Sequence, residues 1–227
     1  MSKLVWDAVG QKEYQTGVKE LALFEQTAGV YNKGIAWNGV TAVNETPSGG
    51  EATDIYADDN KYLSLMSAEK LDATIECYMT PPEFDKYNGE AEVAAGMTVG
   101  QQDRGVFGIA YTTIKGNDTL GNAYGKVIHV LYGCKASPSE QSHSTVNESP
   151  EAVNPSYSIN TTPVPVTVNG EQKTTASVKI DSTRMSKKQF QAVFDTIFGT
   201  DNKEPSLPMP DAIAKIITDN ADNAVMG

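Results

Sequence analysis

The feature that most restricts the fold is a pair of apolar runs, Val106–Lys115 (VFGIAYTTIK) and Lys126–Cys134 (KVIHVLYGC). Each is apolar at odd and even positions alike, so as a strand each is covered on both faces. That needs a layered sandwich, or a sheet whose second face meets another subunit. The segment between them, GNDTLGNAYG, is heavy in Gly and Asn and reads as a hairpin turn. With 39% hydrophobic residues in 227, the chain can build a packed core with much loop or interface around it.

Most other segments alternate as strands do. In Val18–Glu25, Leu21 and Leu23 share one face while Glu20, Ala22 and Phe24 share the other. Ile35–Val43 carries Asn38-Gly39 at its centre, a signal for a hairpin or a bulge. Asn44–Asn60, rich in Gly, Pro, Thr and acid, reads as a long loop. Tyr62–Thr80 returns to strand character, with Ala73, Ile75 and Cys77 alternating, until Pro81-Pro82 stops it. A polar stretch spans Ala136–Pro155. Strands follow at Tyr157–Thr161, Val164–Val168 and Thr174–Asp181, with Asn169-Gly170 as a turn and Ala176, Val178 and Ile180 facing inward.

Two helices are expected. Ser186 with Gln189 forms a capping-box pattern ahead of the stripe Phe190, Val193, Phe194, Ile197, and Gly199 is a stop. A shorter helix starts near Pro210, with Ile213, Ile216 and Ile217 on one face. Thr200–Met209, with two prolines, reads as an extended arm. The expected organisation is an N-terminal arm (1–17), a β domain (18–199) with the long loop 44–60 and one flanking helix at about 186–198, and a C-terminal arm with a short helix (200–227).

The net charge of −11 is uneven. Twelve acidic residues and three lysines lie between Val40 and Glu92. Gripping nucleic acid needs clustered Lys and Arg, so this balance argues against it, although like charge also prevents sticking. Met1–Gly10 has no apolar run for a signal peptide and no segment approaches a membrane span, so a cytoplasmic site of synthesis is expected. Cys77 and Cys134 lack metal spacing and read as buried free thiols.

Motifs with chemical meaning fall short. Tyr56-Ala57-Asp58-Asp59 matches the paired aspartates of reverse transcriptases, which bind two metal ions. A polymerase also needs a third carboxylate and a basic cleft, and this chain is too short and too acidic. Gly116 and Gly121 have phosphate-loop spacing, but Asn122 stands where lysine is required; Gly125-Lys126 is followed by Val127 instead of a hydroxyl residue. His129 and His143 have no metal-ligand spacing, and His129 reads as a core or interface residue. The expectation is no enzyme, no cofactor and no metal, but a structural, mainly β protein that packs on copies of itself.

Three long segments then resemble one family: SGGEATDIYADDNKYLSLMSAEKLDATIECYMTPPEF (48–84), VGQQDRGVFGIAYTTIKGNDTLGNAYGKVIHVLYGCKASPSE (99–140) and STVNESPEAVNPSYSINTTPVPV (144–166). IDSTR (180–184), the helix after it and LPMPDAI (207–213) fit too. Together they resemble the major tail protein of long, non-contractile tails in phages of Gram-positive bacteria. The likeness runs in order over nearly the whole chain as an extended pattern.

The resemblance implies a β-sandwich or barrel-like tail-tube fold with a flanking helix. It implies hexameric rings that stack into a tube, which conducts genomic DNA to the host without binding it specifically. Implied partners are further copies, a tape-measure protein, and tail-tip and tail-terminator proteins; no membrane is implied. The implied location is the virion tail, after assembly in the bacterial host cytoplasm. In that setting Pro47, Gly49, Gly50, Tyr56, Asp58, Asp59 and Lys61 are candidate ring contacts, with Tyr56 as an anchor. Asp54, Asp58, Asp59 and Glu76 are candidate acids facing the channel. A head-decoration or cell-surface β-sandwich module is the alternative.

Overall fold

The computed structural model describes residues 4–143, 145 and 152–221. The middle of the polar stretch 136–155 and both chain ends therefore lie outside the described residues. The protein is mainly β. Its strands are β1 (Glu13–Thr27), β2 (Val30–Ala36), β3 (Val40–Ser48), β4 (Ala52–Ala57), β5 (Asn60–Met66), β6 (Lys70–Cys77), β7 (Ala91–Ala94), β8 (Met97–Val99), β9 (Phe107–Asn117), β10 (Gly121–Ala136), β11 (Ser156–Asn160), β12 (Val164–Val168), β13 (Glu171–Thr175) and β14 (Ser177–Asp181). The helices are α1 (Asp85–Asn88), α2 (Lys187–Phe198) and α3 (Pro210–Asp219).

One antiparallel sheet, β2-β1-β9-β10-β11-β6-β3, folds into two layers, with β14 also on β10. The bend is in β10. It pairs with β14 as far as Leu131 and with β9, through a register shift, as far as Cys134, and from Lys135 it pairs with β11. Gly133 makes the bend possible, with φ +58 and a backbone N–H donated to the Tyr31 hydroxyl at 2.9 Å. A Cβ there would stand 2.2 Å from the Thr162 carbonyl oxygen, so only glycine fits.

The doubly apolar strands are covered on both faces, as their sequence requires. Between the layers, Leu21, Leu23, Ile109 and Leu131 meet Ala73, Ile75, Cys77, Tyr157 and Ile159. On the opposite face of the same strands, Ala22, Phe24, Ile128 and Val130 meet Val193 and Ile197 of α2 and Ile213 of α3. Cys77 and Cys134 are free, fully buried thiols.

Several expectations change. Asn38-Gly39 starts no hairpin: β2 pairs with β1 and β3 with β6, so the chain crosses between layers there. Trp37 anchors the corner, its N–H donating to the Leu21 oxygen and its indole to the Met79 oxygen. Residues 13–17 of the expected N-terminal arm are paired strand, because β1 continues along β9 to Glu13↔Asn117. Thr200–Met209 is no free arm. Its Ser206 and Leu207 amides donate to Thr196 and Tyr31, and Leu207 is buried. Two helices, not one, cover this face, joined where the Gln189 side chain donates to the Ile217 oxygen. Asp211 ties α3 to β12 by accepting from the Thr167 amide at 2.8 Å. The Ser186–Gln189 capping box and the Asn169-Gly170 hairpin turn form as read.

Candidate assembly surface

The long loop expected at 44–60 is instead the ascending side of a two-tier β arm. β3 and β6 pair as far as Ser48↔Lys70, and beyond a break β4 and β5 pair from Ala52↔Met66 to Ala57↔Asn60. The composition misleads, since Gly, Pro and Thr mark the break and the rim but leave the pairing intact. Gly49 and Gly50 make the break, with φ +83 and +70. A Cβ on Gly49 would meet the Ala68 oxygen at 2.4 Å. Past the break, Glu51 and Ser67 close the base of the outer tier through the pair Ser67 N–H to Glu51 oxygen and Glu51 N–H to Ser67 Oγ. Asp58 and Asp59 take positive φ at the tip, +49 and +60, the geometry of a two-residue hairpin turn.

No residue of β4 or β5 is buried. Alternation and register put Thr53, Ile55, Leu63 and Leu65 on one face, and Ala52, Asp54, Tyr62, Ser64 and Met66 on the other. Tyr62 is 71% and Met66 70% exposed. A two-stranded hairpin is marginal alone in water, and one that shows apolar side chains on both faces asks for partners. Of the apolar side chains here, sequence reasoning singles out Tyr56 alone; the period-2 alternation of Leu63 and Leu65 is legible, but its exposure is not.

The candidate ring contacts divide along this arm. Pro47 sits in the inner tier opposite Leu71, Gly49 and Gly50 form the break, Tyr56 lies at a bulge, and Asp58 and Asp59 form the tip. Lys61 pairs with Asp54 at 2.7 Å, both partly exposed, so the pair contributes little to stability. With the Ser64 hydroxyl it draws the Asp54 carboxyl below its usual range. The candidate channel acids do not converge: Asp54, Asp58 and Asp59 ride the outer tier, whereas Glu76 sits on β6 beside Asn44 and Asn154. Glu76 shares its sheet face with Asp72 and Thr74, next to Ser156, Ser158 and Asn160 of β11. The residues of this face that β11 supplies are exposed. Asp72 goes unremarked in the sequence because its neighbours across the sheet are not its neighbours in the chain.

The metal reading gains no geometry. Asp58 and Asp59 occupy an exposed turn, and among the described residues no three His, Cys, Asp or Glu side chains gather to hold an ion. Gly116 and Gly125 lie within β9 and β10, whose connecting turn is only residues 118–120. No helix among the described residues is long and apolar enough to cross a membrane. His129 is buried against Tyr111, ring centroids 4.7 Å apart and planes 4° from parallel. His143 is exposed in the polar stretch. Neither the protein-family models nor the curated proteins compared with this sequence give a match.

Proposed function

We propose that this chain is a structural subunit of a phage tail tube, assembling as hexameric rings that stack and conduct genomic DNA. The observation that carries the reading is the β4–β5 tier. It is an ordered hairpin held clear of both cores, with exposed apolar side chains on both faces, and joined to the body by a glycine break. A ring-on-ring contact suits such an arm, because a heterologous contact repeats without closing and generates a filament. The polar face bearing Asp72 and Glu76 supports a channel wall. At ~5 Å and bulk dielectric, each like-charge approach to a phosphate costs only ~0.8 kcal/mol, enough along a whole wall to discourage adhesion.

In this role the protein needs no catalytic group or cofactor, and its partners are further copies together with tape-measure, tail-tip and tail-terminator proteins. The test is electron microscopy of concentrated purified protein. Hollow tubes or six-fold rings support the reading. A dispersed monomer under every condition overturns it and favours a decoration module, which needs one footing only. A deletion variant lacking Glu51–Ser67, with Gly50 joined to Ala68 through Asn-Gly, should stay folded but grow no tubes.

A further inference from the structure

Besides the β4–β5 tier, the chain exposes a second apolar segment. Leu4 and Val5 are each 71%, Trp6 74% and Val9 85% exposed. No backbone group of Leu4–Asp7 makes a hydrogen bond among the described residues. The segment is pinned at its base: the Gly10 amide donates to Asp118 Oδ1 at 3.0 Å, and the Asn117 side-chain amide to the Gly10 oxygen at 3.2 Å. It therefore leaves its own body along the β9–β10 turn.

Elsewhere the fold leaves a complementary vacancy. Among the described residues β14 pairs with β10 alone. The Tyr132 amide donates to the Ala176 oxygen, so by antiparallel alternation Ala176, Val178 and Ile180 turn their backbone toward β10. The backbone groups of Lys179 and Asp181 then face outward with no neighbouring strand. Alongside runs a groove of about 720 Å³ whose apolar part is formed by Val166, Val178, Ile180, Met185, Ile213 and Ile217. Its polar part is formed by charged and polar side chains including Glu13, Lys115 and Asp181. Exposed Ala214 of α3 stands at its mouth, and Arg184 on its rim is 82% exposed, 3.7 Å from Asp181.

We infer that Leu4–Val9 of one copy adds a strand to the free edge of β14 in a second copy, with Trp6 seated in the groove beside α3. An unpaired sheet edge is completed by the unpaired backbone of Leu4–Trp6, which runs ahead of the left-handed Asp7 (φ +54) and the Ala8–Gln11 turn. The apolar part of the groove is completed by the side chains of Leu4, Val5, Trp6 and Val9. The β4–β5 hairpin fits less well, since each of its strands already pairs with the other and it arrives two strands wide. Asp7, the one acid of the segment, answers Arg184 on the rim. A copy's own segment is held at Gly10 by Asn117 and Asp118 and contributes no residue to the groove lining, so we take the occupant from a neighbour, and an internal cross-link would overturn that choice. Arm-into-groove contact is heterologous and runs from copy to copy. The inference stands on segment and groove alone, apart from the tail-tube reading.

A double variant, Trp6→Cys with Ala214→Cys, tests it, because Cys77 and Cys134 are fully buried and stay out of the reaction. Oxidation should give a ladder of disulfide-linked oligomers on a non-reducing gel. Only an internally linked monomer, or no cross-link at the highest soluble concentration, overturns the inference. So does a ladder from Tyr62→Cys with Ala214→Cys in place of the first, which makes the hairpin the occupant. Removing residues 2–9, or Ala214→Glu, should weaken self-association measured by sedimentation at least ~10-fold with far-ultraviolet circular dichroism unchanged. Unweakened association in both overturns it too. A ladder without tubes upholds this contact and sinks the tail-tube reading; tubes without a ladder do the reverse.

Discussion

The Tyr111 hydroxyl donates to Glu45 Oε1 at 2.7 Å, and with this bond a strand of one layer is tied to a strand of the other across the core. His129 Nδ1 lies 3.5 Å from the same oxygen, too long for a good hydrogen bond, and Lys179 Nζ is 3.5 Å from Oε2. On its other side, His129 Nε2 is 3.0 Å from the Gln15 amide nitrogen, which can only donate. Nε2 thus accepts, and a neutral ring carries its proton on Nδ1, facing the carboxylate. The inward Glu45 sits at the root of the projecting arm, so this cluster fixes where the arm leaves the body.

Acid should loosen that tie. The His129 imidazole foremost, then the Tyr111 hydroxyl and Lys179, hold the Glu45 carboxyl at about 2 against the opposing effect of burial, where 4.5 is ordinary. A carboxyl with a lowered folded-state pKa stabilises the fold above its unfolded value and loses that contribution as pH falls through the folded one. Roughly 3 kcal/mol should be present above pH ~4.5 and disappear toward pH ~2. Denaturant midpoints measured against pH should converge for wild type and Glu45→Gln over that window; parallel curves would refute the assignment.

Gly133→Ala should cost at least ~2 kcal/mol, because it adds left-handed strain to a collision with the Thr162 carbonyl. Gly50→Ala shares the positive φ but meets open space, so it should cost only ~1 kcal/mol. Urea unfolding of the two variants side by side checks the ordering.

Leu65→Asp or Tyr62→Asp should change stability by no more than ~0.5 kcal/mol, since neither side chain is buried in the subunit. Both should suppress assembly. Thermal melts paired with light scattering separate the two effects, and a large drop in melting temperature would show that the arm supports the fold itself.

Ser186→Ala breaks the capping box on α2 and should cost about 1 kcal/mol. Chemical denaturation measures it. An unchanged midpoint would mean that packing of Val193 and Ile197 alone sets the helix start.

Where local chemistry dictates the outcome, the chain can be read directly. The runs around Ile109 and Val130 demand two covered faces, Ser186 and Gln189 mark the start of α2, and Asn169-Gly170 marks a turn. The arm escapes such a reading because Gly49 and Gly50 signal a break, and a break between two tiers has the same composition as a loop. Asn38-Gly39 is ambiguous for a related reason. A tight turn fixes a change of direction, whereas pairing across it depends on which strands lie nearby.

The sequence by itself determined a mainly β chain with amphipathic helices and an acidic stretch, because periodicity, capping and charge are properties of neighbours along the chain. Tertiary structure alone decided that β10 bends at Gly133 to serve both layers and that residues 200–209 strap down as part of the body. It also decided that Glu45 meets Tyr111 and His129, and that Leu63, Leu65 and Tyr62 stand in solvent instead of in a core. These outcomes rest on contacts between residues far apart in the chain. An apolar side chain carries the same hydrophobic drive wherever it lies, and only the fold settles whether its own subunit covers it or leaves it for another.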